Sequence, residues 1–86
     1  MLITKKIVAD QIAAYLHHDI TLAQLVDWAE RAMMEDEIEE TGLPAIRSTV
    51  ARLGVADVRA FGLTWEDCEE LLSQLGFSAR VSIVTA

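Results

Sequence analysis

Apolar residues return at steps of three and four along most of this chain, the period of helices that bury one face. Ile7, Val8, Ile12, Tyr15 and Leu16 keep that spacing and predict a first helix from Thr4, whose hydroxyl suits an N-cap, to His18. Lys5 and Lys6 sit where the helix dipole disfavours cations, whereas His17 and His18 sit where it favours them. The second helix has the clearest start: Thr21 with Gln24 three residues on forms a capping box, and Ile20 facing Leu25 adds a hydrophobic staple. Its inward stripe is Leu22, Leu25, Val26, Ala29, Ala32 and Met33, with Trp28 beside the stripe rather than on it.

Thr41-Gly42-Leu43-Pro44 ends that helix, and Pro44 fits the first turn of a third. There Ile46, Val50 and Leu53 point inward, Arg47 and Arg52 outward, and Gly54 supplies a left-handed stop. Val55 to Phe61 predicts a short helix ended by Gly62. Thr64 then opens a last helix with Asp67 as its capping-box partner and Leu63 stapling to Cys68. Its buried face is Cys68, Leu71, Leu72 and Leu75, and Gly76 with Phe77 makes a left-handed C-cap whose following residue packs back. From Ser78 the pattern changes to β-branched residues in partial alternation, which reads as a strand. A lone strand leaves its backbone unpaired, so it calls for Met1-Leu2-Ile3 or the same tail of a second copy. The prediction is an all-α protein in the main: a compact bundle of four or five short helices in one domain, 1–77, with an extended C-terminal tail, 78–86.

Length sharpens the question of partners. A domain of 86 residues with 52% hydrophobic content holds one core and buries only about 60–65% of its unfolded surface, so a second copy covering apolar surface would add stability. Charge narrows the answer. Glu35, Asp36, Glu37, Glu39 and Glu40 place five carboxylates in six residues, and Glu66, Asp67, Glu69 and Glu70 add four of the chain's 14 acids. The second cluster lies in the first turns of a helix, where the dipole welcomes it. The first lies at a helix C-terminus, where the dipole opposes it, and predicts fraying from Glu37 onward. With a net charge of −7 and seven scattered basic residues, direct nucleic-acid binding is disfavoured and a basic protein partner is favoured.

The chemistry-bearing residues give little to an enzyme. His17 and His18 are adjacent, so on a helix they point about 100° apart and cannot readily grip one metal. Cys68, the single cysteine, sits between Asp67 and Glu69, which raise a thiol's pKa. It excludes an internal disulfide and predicts a reducing, cytoplasmic setting. Asp10 and Gln11 interrupt the apolar run that a signal peptide needs, and no run reaches the roughly 18–20 residues of a membrane span. The glycines are isolated and punctuate helices rather than forming a phosphate loop. No catalytic, cofactor-binding or metal-binding residue is assigned. Trp28, Trp65 and Phe61 are the aromatic residues that could anchor an interface, with core packing favoured for Phe61.

These observations predict a non-catalytic protein-association or homodimerisation module without cofactor. Its candidate partner-binding residues are Glu35, Asp36, Glu37, Glu39, Glu40, Trp28 and Trp65, with Val81 and Ile83 in the tail. In size and charge the chain is also similar to small acidic helical immunity proteins. That likeness of composition implies an alternative: an inhibitor that neutralises a basic toxin or nucleic-acid enzyme, its acids imitating phosphate charge. A third alternative, a small metal-binding protein or enzyme, requires a pocket that brings His17 or His18 together with acids from elsewhere in the chain.

Overall fold

The computed structural model describes residues 2–35, 37–58 and 62–77. In chain order these form strand β1 (Leu2–Ile3), helix α1 (Lys5–Leu16), helix α2 (Leu22–Glu35), strand β2 (Glu37–Ile38), a 3-10 turn (Glu40–Gly42), helix α3 (Leu43–Gly54) and helix α4 (Trp65–Gln74). The protein is mainly α, as the periodicity predicts.

The helix starts follow from local side chains. Thr4 Oγ1 accepts from the Ile7 N–H at 3.2 Å and begins α1, and Lys6 pairs with Asp10 one turn on at 3.1 Å. Thr21 and Gln24 form both bonds of the predicted capping box, at 3.1 and 2.8 Å. Thr64 and Asp67 do the same for α4, at 3.1 and 2.9 Å. Each cap satisfies backbone N–H groups that have no partner inside the helix.

The helix ends are less uniform. Gly76, at φ 90°, closes α4 with Phe77 N–H donating to Leu72 O at 2.8 Å and Gly76 N–H donating to Ser73 O at 3.0 Å. This is the paired closure of a Schellman motif. The same pair of bonds closes α1, from Asp19 N–H to Ala14 O at 2.8 Å and from His18 N–H to Tyr15 O at 3.1 Å. There the left-handed position is held by His18, at φ 63°, in place of a glycine. Gly54, expected as a left-handed stop, is instead the last residue of α3 and has no positive φ; Val55 caps the helix. The helix expected over Val55 to Phe61 is turn over 55–58, with residues 59–61 outside the described chain.

The acidic run differs most from expectation. It does not fray as a helix end: α2 stops at Glu35 and Glu37–Ile38 pairs in parallel with Leu2–Ile3, in the register Leu2↔Glu37 and Ile3↔Ile38. Glu39 N–H extends the ladder to Ile3 O at 2.9 Å. Alternation explains the change, because a strand turns Glu37 to solvent while Ile38 packs against the core beside the fully buried Ile3. A helical continuation would have put the same carboxylates against the negative end of the dipole. The segment Leu2–Ile3 thus finds its partner within the chain, and the tail expected to pair with it lies outside the described residues.

Gly42 follows, at the N-cap of α3, and its lack of a side chain is used. A Cβ there would meet Lys5 Cγ at 3.0 Å, Lys5 Cε at 2.5 Å and Ile46 Cδ1 at 3.1 Å, so the lysine stem crosses the glycine. Helix α3 packs chiefly along α2, and α4 closes against α1 and α3. Ile3, Ile12, Leu25, Ile46, Leu53 and Leu75 are the largest apolar side chains of the resulting core. Thr49 is buried among them and its hydroxyl has no hydrogen-bond partner among the described residues. Arg52, expected on the outer face, is half-buried, donating to Gly62 O at 2.9 Å and to Asp67 Oδ2 at 3.4 Å, which ties the approach to α4 onto α3. Arg47 is exposed as predicted.

Candidate functional site

Where α2 ends and α3 begins, the core stripes of both helices turn inward and leave a groove between them. Positions 46, 50 and 53 of α3 are committed to the core. The adjoining face carries Leu43, Arg47 and Ala51 at steps of four, and these three with Ser48 form one side of an open groove of about 880 Å³. Met33, near the C-terminus of α2, lines the groove together with Glu37 and Ile38 of β2 and Glu40 of the 3-10 turn. Met33 was expected in the buried stripe but is 54% exposed, and Met34 beside it is 86% exposed. The reason is rotational: Leu25, Ala29 and Ala32 fill the centre of the buried face, and Met33 falls at its edge just before the helix stops.

The groove therefore combines an apolar lining from Met33, Ile38, Leu43 and Ala51 with two carboxylates and one guanidinium. Glu37, Glu40 and Arg47 make no ion pair among the described residues.

Of the residues proposed from sequence, Glu37 and Glu40 reach this groove. Glu39 does not; it is half-buried and precedes the 3-10 turn with its N–H bound to Ile3. Glu35 is the last residue of α2, and Asp36, Val81 and Ile83 lie outside the described residues, as does Phe61. Trp28 packs against the core. Trp65, the first residue of α4, is half-buried, and its indole N–H donates to Glu69 one turn on. Neither tryptophan lines the groove. Sequence reasoning missed Met33, Ile38, Leu43, Arg47 and Ala51 as site residues. The signals were the step-of-four series on α3 and two consecutive methionines directly before the acids.

Two titratable groups outside the groove, Asp67 and Cys68, have structural settings. The Thr64 backbone N–H holds the Asp67 carboxyl below its ordinary range, with the Thr64 hydroxyl and the Arg52 charge adding and partial burial opposing. Burial pushes the Cys68 thiol up to about 11, and the neighbouring Asp67 charge adds to the rise while Arg52 opposes it. A thiol so placed is protonated at neutral pH and is a poor nucleophile. A second hollow, of about 190 Å³, lies between α3 and α4 beside the Arg52–Asp67 contact. Among the described residues no cluster of three or more His, Cys, Asp or Glu side chains is arranged to hold a metal. No helix there is long and apolar enough to cross a membrane. Comparison of the chain with protein-family models, with curated proteins and with solved structures finds no match.

Proposed function

We propose that this protein is a non-catalytic association module that docks a protein partner in the groove between the end of α2, β2 and α3. The observation that carries this reading is the exposure of Met33 in an apolar lining, with Met34 exposed next to it in the sequence, bordered by charges that make no ion pair among the described residues. Methionine is flexible and polarisable, and an exposed pair of them adapts to the side chains of a partner. The burial of Cys68 and the local ties of Asp67 support a non-enzymatic role, because they commit those groups to the fold. The lone thiol also fits a reducing cytoplasm.

A photo-crosslinking side chain at Ala51, in the groove, and another at Ala23, at the exposed start of α2, test the reading in cells that express the full chain. A discrete protein adduct at Ala51 and none at Ala23 is the expected result. Equal labelling at both positions, or at neither, refutes the groove as the docking surface. An adduct with a second copy of this chain would make the module a homodimer; one with a basic toxin or nucleic-acid enzyme would make it an inhibitor, the role supported by the net charge of −7.

A further inference from the structure

We propose that the occupant of this groove is an amphipathic helix with Lys or Arg flanking its apolar face. The inference rests on the docking role of the groove and adds the chemistry of the partner. Charge is the first argument. The groove presents Glu37 and Glu40 against a single Arg47, in a chain of net charge −7. A cationic segment gains from both carboxylates and from the field of the whole molecule, whereas a second copy brings another −7 to the same surface.

Shape is the second argument. Leu43, Arg47 and Ala51 form a ridge along α3 that runs about 12 Å at 1.5 Å per residue, the length of two helical turns. Ridges at steps of four pack against the grooves of another helix, and the small side chain of Ala51 permits close approach. Strand addition has far less to work with. β2 is two residues long and already pairs with β1 on one side, so an added strand would find at most a two-residue edge. A helix satisfies its own backbone and needs only side-chain contacts, which Met33, Ile38 and Leu43 supply.

The test is a titration of the ¹⁵N-labelled full chain with four synthetic 14-residue peptides, followed by amide chemical shifts. One has Leu at helical spacing with Lys on the other face. The others are its Glu counterpart, a scrambled Lys/Leu sequence of the same composition, and an alternating Val/Lys sequence of strand period. The expected result is saturable shifts at Met33, Leu43, Arg47 and Ala51 with the helical Lys peptide alone, weakening with salt. Glu37→Gln with Glu40→Gln weakens this binding about threefold or more, as the loss of two exposed ion pairs implies. Equal binding of the scrambled peptide, stronger binding of the alternating one, or shifts outside the groove would overturn the proposal, as would no binding at all. If Ala51 still crosslinks to a protein while the helical Lys peptide fails, the docking role stands and only this assignment falls.

Discussion

Replacing Thr49 with valine should make the protein more stable, and the structure sets the scale. Thr49 is fully buried on α3, and its hydroxyl has no hydrogen-bond partner among the described residues. Burying such a hydroxyl without a partner costs about 1–3 kcal/mol in mutational series, and valine keeps the shape while placing a methyl where the hydroxyl was. Valine and threonine differ little in helix propensity, so the backbone contributes almost nothing to the difference. The expected gain for Thr49→Val is therefore about 1–3 kcal/mol, or a rise in Tm of roughly 4 °C or more for a domain of this size. Urea unfolding followed by helical circular dichroism measures it, with an unchanged slope showing that the two native states bury the same surface. Thr49→Ser is the control: it keeps the hydroxyl, deletes a methyl and should lose about 1 kcal/mol. A neutral or destabilising Thr49→Val would mean that the hydroxyl is satisfied, by its own helix or by water, and the reasoning would fail.

Other outcomes follow from the caps and from two displaced pKa values. Thr64→Ala removes one half of the α4 capping box and should cost about 0.5–2 kcal/mol in the same unfolding assay. His18→Gly relieves the left-handed backbone at φ 63°; because left-handed geometry costs an ordinary residue about 1–2 kcal/mol and glycine's extra chain entropy returns part of that, a gain of up to about 1 kcal/mol is expected. In acid, Asp67 contributes stability that is complete above its unfolded value of 3.8 and is lost as pH falls through its lower folded pKa. Asp67→Asn should therefore flatten the acid limb of a stability–pH profile. Cys68 acts on the opposite limb: its raised pKa favours the neutral thiol in the fold, so stability present below 9.0 is lost as pH rises towards about 11, and Cys68→Ala should remove that contribution. At neutral pH the Cys68 thiol should react with iodoacetamide only when the fold opens, with a rate that tracks urea concentration; rapid labelling of the native protein would contradict its burial.

The parts of this fold that were legible in the sequence are those decided within four residues. Thr4, Thr21 with Gln24, and Thr64 with Asp67 mark helix starts because a short polar side chain reaches only its own first turn. Gly76 marks an end because the left-handed backbone at φ 90° suits a residue without a Cβ. The parts that were hidden depend on distant segments. Two-residue strands carry almost no periodic signal, so the pairing of Leu2–Ile3 with Glu37–Ile38 shows only when both are placed in space. Arg52 resembles a solvated arginine until Gly62 and Asp67 arrive beside it. His18 occupies a position where a glycine would have announced the turn. The acidic run pointed to part of the groove through Glu37 and Glu40, but the apolar lining comes from three segments that meet only in the folded chain.

The short parallel pairing has a topological consequence. By joining Leu2 to Glu37 and Ile3 to Ile38, it closes a polymer ring that contains all of α1 and α2. Closing a loop of that length carries an entropic cost that grows only with the logarithm of its size, and two ladder residues alone could not offset it. The two helices must therefore already be close to their final packing when the ring shuts, which places the clasp late in folding. Glu37 and Ile38, at one end of that ring, line the groove and are held by β1 at the other end, so the surface offered to a partner reports whether the first half of the chain has closed.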